Sequence, residues 1–306
     1  MRVIVHGGAG GVPDEPEARQ AVLDDAADRG ILAETPLDAV ADALAILESS
    51  PRFNAGVGGA VQSDGVVRTD AGVMTSDREV GAVCSMPGVE HAASVARVVH
   101  SETPHIFVSG EHAVDLAADF GIETGVDLRT DETRERYESE DPPRGGPREH
   151  LDWLATRFGS GDDQAGGGSG SDGKNEDDPG RAPDHDTVGA VAADGETFAA
   201  ATSTGGRSFA LAGRVGDVPQ VGSGFFCTEA GGASATGAGE DIARVTLSRR
   251  AVGFLDDGLG AQEAADRAID EFEEITGSGA GLIVLDEVGT GSAFNTDGMQ
   301  TSVVYK

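Results

Sequence analysis

Short apolar runs alternate with amphipathic stretches along the first half of the chain. The stretch 35–49 predicts a helix, because Thr35 suits the N-cap, Pro36 suits the first turn, and apolar side chains recur on one face. The shorter apolar runs are typical of buried strands. The pattern predicts strands at 1–5, 82–85 and 106–109, and helices at 35–49, about 91–101 and about 111–120.

The second half of the chain is richer in strands. Its apolar runs follow one another closely, and two long amphipathic stretches come after the third run. Consecutive strands followed by consecutive helices indicate a mixed α/β fold in which sheets pack against helices in layers. The predicted strands are 188–193, 198–203, 221–227 and 282–285, and the predicted helices are about 240–256 and 261–276.

Residues 159–184, between the two halves, show no apolar periodicity. Gly, Ser and Asp dominate this segment, and such a composition cannot bury enough apolar surface to pack. We therefore predict a flexible linker, which is unusual inside a compact protein without a functional reason.

The charge of the chain narrows the range of its partners. The formal net charge is -32, from 54 acidic and 22 basic residues, and only Lys174 and Lys306 are lysines. A field this negative argues against nucleic acids and anionic membranes as partners. The composition is typical of adaptation to a high-salt cytoplasm, in which salt screens self-repulsion, although an ordinary acidic protein remains the alternative.

Several classes of protein chemistry find no support in the sequence. Cys84 and Cys227 form no CxxC motif, and the seven histidines show no HExxH or other metal-ligand spacing. The glycine run at 7–11 lacks the third glycine of a dinucleotide motif, since Pro13 stands there and no helix follows. With no signal peptide and no long apolar run, we expect a cytoplasmic protein with reduced thiols and no organic cofactor.

The residue of greatest chemical interest is Thr187, which opens an apolar strand directly after the linker. A strand that begins with threonine by chance is the simplest interpretation. Threonine needs a base to act as a nucleophile, and a free α-amino group, with a pKa of about 7.7–8.0, can be that base. A cut between Asp186 and Thr187 would create such an amine, and a mobile linker would permit the cut.

Three later segments place hydroxyls, glycines and one Arg–Asp pair at predicted strand ends. They are ATSTGG at 201–206, GRVGD at 213–217 and TGAGE at 236–240. Each has a structural alternative. Arg214 and Asp217 could pair on a surface turn, Thr204 could cap a strand, and Glu240 could be an ordinary first-turn acid.

Eight motifs in order resemble those of the plant-type L-asparaginase and isoaspartyl-peptidase family, the N-terminal-nucleophile hydrolases related to aspartylglucosaminidase. They span nearly the whole chain outside the linker. The motifs are HGGAG at 6–10, FNAGVG at 53–58, DTVGAVA at 186–192, ATSTGG at 201–206, GRVGD at 213–217, TGAGE at 236–240, GSGAGLIVLD at 277–286 and FNTDGM at 294–299.

The resemblance implies a four-layer αββα sandwich and a single asparaginase-like domain over 1–306. Self-cleavage would divide it into subunits 1–186 and 187–306, and two such pairs would form a dimer. The chain departs from the commonest family pattern at two positions. Asp186 precedes the nucleophile where many members have glycine, and Ala238 stands where a second threonine is common.

The resemblance also implies a role for each matching residue. Thr187 would be the nucleophile, hydrogen-bonded by Thr204, and the Thr236 hydroxyl and Gly237 N–H would form the oxyanion hole. For substrate binding, Arg214 would hold the α-carboxylate, Asp217 and the Gly237 carbonyl would hold the α-ammonium, and Asn54 would shape the site. Sodium would bind to backbone carbonyls of Leu47, Glu48, Ser50, Phe53, Ala55 and Val57.

The implied reaction is hydrolysis of L-asparagine to L-aspartate and ammonia, or hydrolysis of β-aspartyl dipeptides. Both substrates present the same α-carboxylate and α-ammonium, so the sequence does not rank them. Two alternatives stay open. One is a glycosylasparaginase with a glycan leaving group, and the other is an uncleaved, silent relative that serves as a binding protein.

Overall fold

The computed structural model of the protein describes residues 1–158 and 187–306. The predicted linker, and Asp186 of the predicted cleavage bond, lie outside the described residues. Within those residues, eleven strands and nine helices form. In chain order they are β1 (Arg2–Gly10), α1 (Pro16–Gly30), α2 (Pro36–Glu48), β2 (Arg68–Thr75), β3 (Val80–Pro87), α3 (Ala92–Glu102), β4 (Phe107–Ser109), α4 (Glu111–Asp119), α5 (Asp131–Ser139), α6 (Pro147–Phe158), β5 (Val188–Ala193), β6 (Phe198–Thr204), β7 (Phe225–Thr228), β8 (Gly231–Gly237), α7 (Gly239–Val245), α8 (Leu247–Asp256), α9 (Ala261–Thr276), β9 (Ala280–Asp286), β10 (Thr290–Phe294) and β11 (Gly298–Tyr305).

The strands form two sheets. The larger sheet has the order β11-β1-β5-β6-β2-β3-β4, and the smaller has the order β10-β9-β8-β7. All neighbours pair antiparallel except β3 and β4. Because β5 and β6 lie between β1 and β2, the larger sheet is built from chain on both sides of the predicted cleavage bond.

Three apolar cores separate four layers, which confirms the predicted αββα sandwich. Helices α1 to α3 pack on the outer face of the larger sheet around residues such as Leu23 and Leu44. The inner faces of the two sheets meet around Ile4 and Phe225. Helices α8 and α9 cover the smaller sheet around Phe272.

Local sequence signals explain the helices that were predicted most accurately. The Thr35 hydroxyl caps α2 by accepting a hydrogen bond from the Asp38 N–H at 3.1 Å. At the other end of the chain, α9 stops at Gly277, whose φ of 67° is readily adopted only by glycine. No helix among the described residues is long and apolar enough to span a membrane.

Two predicted elements differ from the structure. The predicted strand 221–227 is wrong in its first half, because Gly222 turns the chain at a φ of 87° and donates to the Phe225 carbonyl at 2.8 Å. Only Phe225–Thr228 is extended. The single helix predicted at about 240–256 is two helices, because Thr246 takes a left-handed conformation with a φ of 54°.

Candidate active site

The start of β5 and the end of β6 bring two of the predicted threonines together. The register pairs Val188 with Ser203, so the next step along the two strands brings Thr187 opposite Thr204. Both threonines are buried. The predicted nucleophile and its predicted hydrogen-bond partner therefore lie side by side on the larger sheet.

The smaller sheet supplies the third threonine. Strand β8 lies against β5 so closely that a side chain on Gly232 would meet Val191 at 2.9 Å, and one on Gly189 would collide with Ser234. Alternate residues of a strand share a face. Thr236 is two residues after Ser234, and Thr187 is two residues before Gly189, so Thr236 faces Thr187. The three threonines thus converge where the sheets meet.

A buried chain of neutral polar groups supports the backbone at Thr187. The ring of His6 is fully buried, bonds to the backbone of Thr187, and has its Nε2 3.1 Å from Ser234 Oγ. Ser234 Oγ is 2.6 Å from Thr202 Oγ1, whose hydroxyl donates to the Gly224 carbonyl at 2.7 Å. Because the Gly8 N–H donates to Nδ1 at 3.3 Å, the proton of His6 sits on Nε2.

Burial decides the charge state of His6. It lowers the pKa of His6 to about 3, so the ring is neutral at neutral pH. No described side chain of this network, which joins His6, Ser234 and Thr202, carries a charge. Its role in the structure is to hold the two sheets and the Thr187 backbone in a fixed relation.

Thr236 and Gly237 end strand β8 at the predicted oxyanion hole. The Ala9 N–H donates to Thr236 Oγ1 at 3.4 Å, so this hydroxyl contacts the backbone of β1. Gly237 adopts a φ of 136°, and a side chain there would meet the Gly279 carbonyl oxygen at 2.5 Å, so this backbone geometry requires glycine.

Asn54 ties the glycine-rich loop to Thr204. Its side chain donates to the Gly206 carbonyl at 2.7 Å and accepts from the Ala60 N–H at 2.7 Å. The Asn54 carbonyl accepts from the Gly205 N–H at 2.8 Å and from the Thr204 hydroxyl at 3.5 Å. The loop thereby fixes the end of β6 beside Thr187.

Arg214 and Asp217 lie together but do not pair with each other. A side chain on Gly239 would meet Asp217 Oδ1 at 2.6 Å and Arg214 Nη2 at 3.0 Å, so both groups flank the same glycine. Arg214 instead pairs with Glu240 at 2.8 Å. Asp217 is buried, and its Oδ2 has no hydrogen-bond partner among the described residues. The sequence alternative of a surface Arg214–Asp217 pair is therefore wrong.

A second buried carboxylate, which the sequence analysis missed, lies next to this pair. Asp70 is opposite Thr204 in the sheet and lies at a bulge between β2 and β3. Ser85, at a φ of 56°, donates its N–H to Asp70 Oδ1 at 2.7 Å. Burial raises the pKa values of Asp70 and Asp217 to about 7, against the opposing charge of Arg214. An isolated aspartate inside an apolar strand was the only signal for Asp70 in the sequence.

The predicted sodium ligands lie in and after the last turn of α2. The chain turns back there, since the Val57 N–H donates to the Glu48 carbonyl at 2.8 Å and the Phe53 N–H donates to the Ser50 carbonyl at 3.3 Å. The last turn of α2 contains no basic residue. No cluster of His, Cys, Asp and Glu side chains suited to a metal occurs in 1–158 or 187–306, so a cation here would rely on carbonyl oxygens.

Known proteins resemble this chain over nearly its whole length. A plant-type L-asparaginase of Pyrococcus abyssi is 36% identical over 310 residues, which cover 98% of this chain and 94% of the relative. An isoaspartyl peptidase/L-asparaginase of Macaca fascicularis is 34% identical and covers 94% of this chain and 87% of its own length. One from Danio rerio is also 34% identical, over 95% of this chain. The family model described as Asparaginase matches residues 1–306, and the chain therefore belongs to the asparaginase family.

Proposed function

We propose that the protein is a self-cleaving threonine amidohydrolase that hydrolyses L-asparagine, β-aspartyl dipeptides, or both. The observation that carries this proposal is the convergence of three buried threonines beside an arginine and an aspartate that flank one glycine. The names of the relatives support the same substrates.

Self-cleavage would use the Thr187 hydroxyl on the preceding peptide bond. Its oxygen attacks the carbonyl carbon of Asp186, the C–N bond breaks, and the nitrogen takes up the proton to become the α-amine of Thr187. The resulting ester is hydrolysed by water, which leaves a carboxylate on Asp186 and restores the hydroxyl. The new amine, with a pKa of about 7.7–8.0 in an ordinary setting, can then act as a base.

Turnover would repeat the attack on the side-chain amide of the substrate. The Thr187 amine accepts the hydroxyl proton, and the oxyanion that forms accepts hydrogen bonds from the Thr236 hydroxyl and the Gly237 N–H. The amine returns the proton to the leaving nitrogen, and ammonia or an amino acid departs. Water then hydrolyses the acyl-threonine in the reverse sequence.

Substrate selection would rest on the charged groups around Gly239. A two-pronged contact with Arg214 suits the α-carboxylate, and the unpartnered Oδ2 of Asp217 suits the α-ammonium. L-Asparagine and β-aspartyl dipeptides share both groups and differ in the leaving amine. This pairing therefore selects a β-aspartyl zwitterion rather than any amide.

The two fragments would stay together after cleavage and form a dimer of cleaved pairs. The larger sheet supports the first of these expectations, because β1 and β2 before the bond pair with β5 and β6 after it. We also place the protein in a cytoplasm rich in salt, which its net charge and the unpaired thiols of Cys84 and Cys227 support. Sedimentation of the cleaved protein in molar KCl tests the assembly.

Sodium binding at the loop after α2 is a further part of the proposal. The donor set suits a hard cation, because it consists of carbonyl oxygens at and after a helix C-terminus, where the helix dipole is negative. The Leu47, Glu48 and Ser50 carbonyls each accept a backbone hydrogen bond and keep a second lone pair. The ion would stiffen the loop that carries Asn54 and thereby Thr204. A higher Tm in NaCl than in choline chloride at equal ionic strength would support a site, and equal values would contradict it.

The substrate assignment is tested by product analysis on the cleaved protein in molar KCl. Ammonia release from L-asparagine and amino-acid release from a β-aspartyl dipeptide are measured beside a glycosyl-asparagine and L-glutamine. We expect hydrolysis of one or both of the first two substrates and little of the others. Activity confined to the glycosyl-asparagine, or no activity with any amide, would contradict the assignment.

A further inference from the structure

The guanidinium of Arg214 is held from one side only. Its Nε donates to Glu240 Oε1 at 2.8 Å, and its Nη2 lies 2.8 Å from the same oxygen. Glu240 therefore occupies the side edge of the guanidinium, and no other described carboxylate forms an ion pair with it. The end edge, formed by Nη1 and the second N–H of Nη2, stays available for a two-pronged contact with a carboxylate.

Glycines allow the guanidinium to lie close to the backbone on both flanks. A side chain on Gly216 would meet Nη1 at 2.8 Å, and one on Gly239 would meet Nη2 at 3.0 Å. Only about a fifth of the Arg214 side chain is exposed, whereas Glu240 is half exposed. The guanidinium is thus flanked by glycine backbone, and its partner Glu240 is the more exposed of the two side chains.

The main chain at Arg214 is held by Gln62, which lies before the predicted linker in the sequence. Gln62 Oε1 accepts from the Gly213 N–H at 2.9 Å, and Gln62 Nε2 donates to the Arg214 carbonyl at 3.3 Å. Arg68 donates to the same Oε1 at 2.8 Å and is itself paired with Asp64. Gln62 is buried, so these hydrogen bonds take the place of the hydrogen bonds that its side chain would otherwise make to water.

We infer that Glu240 and Gln62 are positioning residues that hold Arg214 with its end edge toward the α-carboxylate of the substrate. This inference rests on the proposed function and specifies how its carboxylate site is built. Glu240 sets the rotation of the guanidinium, and Gln62 sets the position of the backbone that carries it. Neither residue needs to touch the substrate.

The chain offers a matched control for each variant. Glu240→Gln removes the charge at the first turn of α7, and Asp241→Asn does the same one residue later, where the partners are Arg244 and Ser278. Gln62→Leu removes the contacts to Gly213 and Arg214. Ser63→Ala removes a neighbouring contact to the Ala212 N–H.

Two readouts separate positioning from a general loss of structure. With L-asparagine, we expect Glu240→Gln and Gln62→Leu to raise KM about 10- to 100-fold and to change kcat little, because a misplaced binding group weakens orientation. With β-alaninamide, which lacks the α-carboxylate, kcat/KM should stay unchanged. Calorimetric binding of L-aspartate should weaken by the same factor, and both controls should match the wild type.

A double variant tests whether Glu240 acts through Arg214. In an Arg214→Ala background, Glu240→Gln should cause no further loss of kcat/KM for L-asparagine, because its target is gone. Additive losses, or equal losses with β-alaninamide, would overturn the inference and leave the proposed function standing. A wild-type protein that neither hydrolyses asparagine nor binds L-aspartate would overturn both.

Discussion

Two adjoining parts of the candidate site differ sharply in charge. The network at the Thr187 backbone, which joins His6, Ser234 and Thr202, is neutral, because burial keeps His6 uncharged and the other two side chains carry no charge. Around Arg214, three carboxylates gather: Glu240 in an ion pair, and Asp70 and Asp217 buried. A neutral pocket favours an unprotonated amine, whereas a charged pocket suits a zwitterion. Under the proposed function, this contrast separates bond breaking from substrate recognition.

The largest effect that would sharpen this contrast is expected at Thr236, on the neutral side. Thr236→Val removes a hydroxyl that would donate to the oxyanion and keeps the shape of the side chain. We expect kcat for L-asparagine to fall by about 10²–10³ with little change in KM. Steady-state kinetics measures both values. Thr228→Val, on neighbouring strand β7 of the same sheet, is the control, and an equal fall in kcat there would remove the special role of Thr236.

On the charged side, pH should act through Asp217. Its pKa is raised to about 7, mainly by burial, and only its ionised form can hold an α-ammonium. We therefore expect protonation of Asp217 to lower kcat/KM by up to about tenfold per pH unit below pH 7, in addition to the fall caused by protonation of the Thr187 amine. Kinetics from pH 5 to 8 checks this profile.

Substitution shows which carboxylate contributes to this fall in kcat/KM at low pH, the acid limb of the pH profile. Asp217→Asn should lower kcat/KM and remove the contribution of Asp217 near pH 7, so that only the contribution of the Thr187 amine remains. Asp70, whose pKa is also raised to about 7, is the second candidate, so Asp70→Asn is measured beside it. A limb that persists unchanged in both variants would show that neither carboxylate controls binding.

The smallest expected effect concerns stability rather than rate. His6→Gln breaks the buried contacts to Ser234 and Gly8, and we expect a loss of about 1–3 kcal/mol in the free energy of unfolding. Denaturant titration in molar KCl measures it. His112→Gln, at an exposed surface position, is the control and should change stability by less than about 0.5 kcal/mol.

The pH dependence of that loss provides a second check. Because the pKa of His6 falls from 6.5 to about 3 on folding, the unfolded chain binds more protons in this window. The contribution of His6 to the free energy of unfolding of the wild type is therefore fully present above pH 6.5 and declines as the pH falls toward 3. The difference between wild type and His6→Gln should shrink over the same range, and a constant difference would contradict a buried neutral ring.

Elements with strong local signals were predictable from the sequence. The cap at Thr35 and the glycine stop at Gly277 define α2 and α9, and apolar runs define β5 and β9. Strand β8 (Gly231–Gly237) was missed because its small residues show no apolar alternation, and tight packing against β5 is what requires them to be small. Tertiary contact, rather than local preference, decides that segment.

The candidate site also has residues that the sequence predicts and residues that only the packing reveals. Thr187, Thr204 and Thr236 were identified because they belong to sequence motifs. Asp70 was missed, because its carboxylate depends on a bulge at Ser85 that no local pattern indicates. The contact of Glu240 with Arg214 was also missed, because the two residues meet only when α7 packs beside the loop after β6. Motifs identify the candidate reacting groups, and long-range packing determines which residues hold them.

The most direct test of the account is the intact mass of the protein and of its Thr187→Ala variant, both expressed and kept in molar KCl. We predict that the wild type gives two fragments that break between Asp186 and Thr187, and that the variant stays a single chain of 31.1 kDa. Thr187→Ser should still cleave, because it keeps a hydroxyl. A wild-type chain that stays whole, or a variant that cleaves at the same bond, would contradict the claim that Thr187 is the nucleophile.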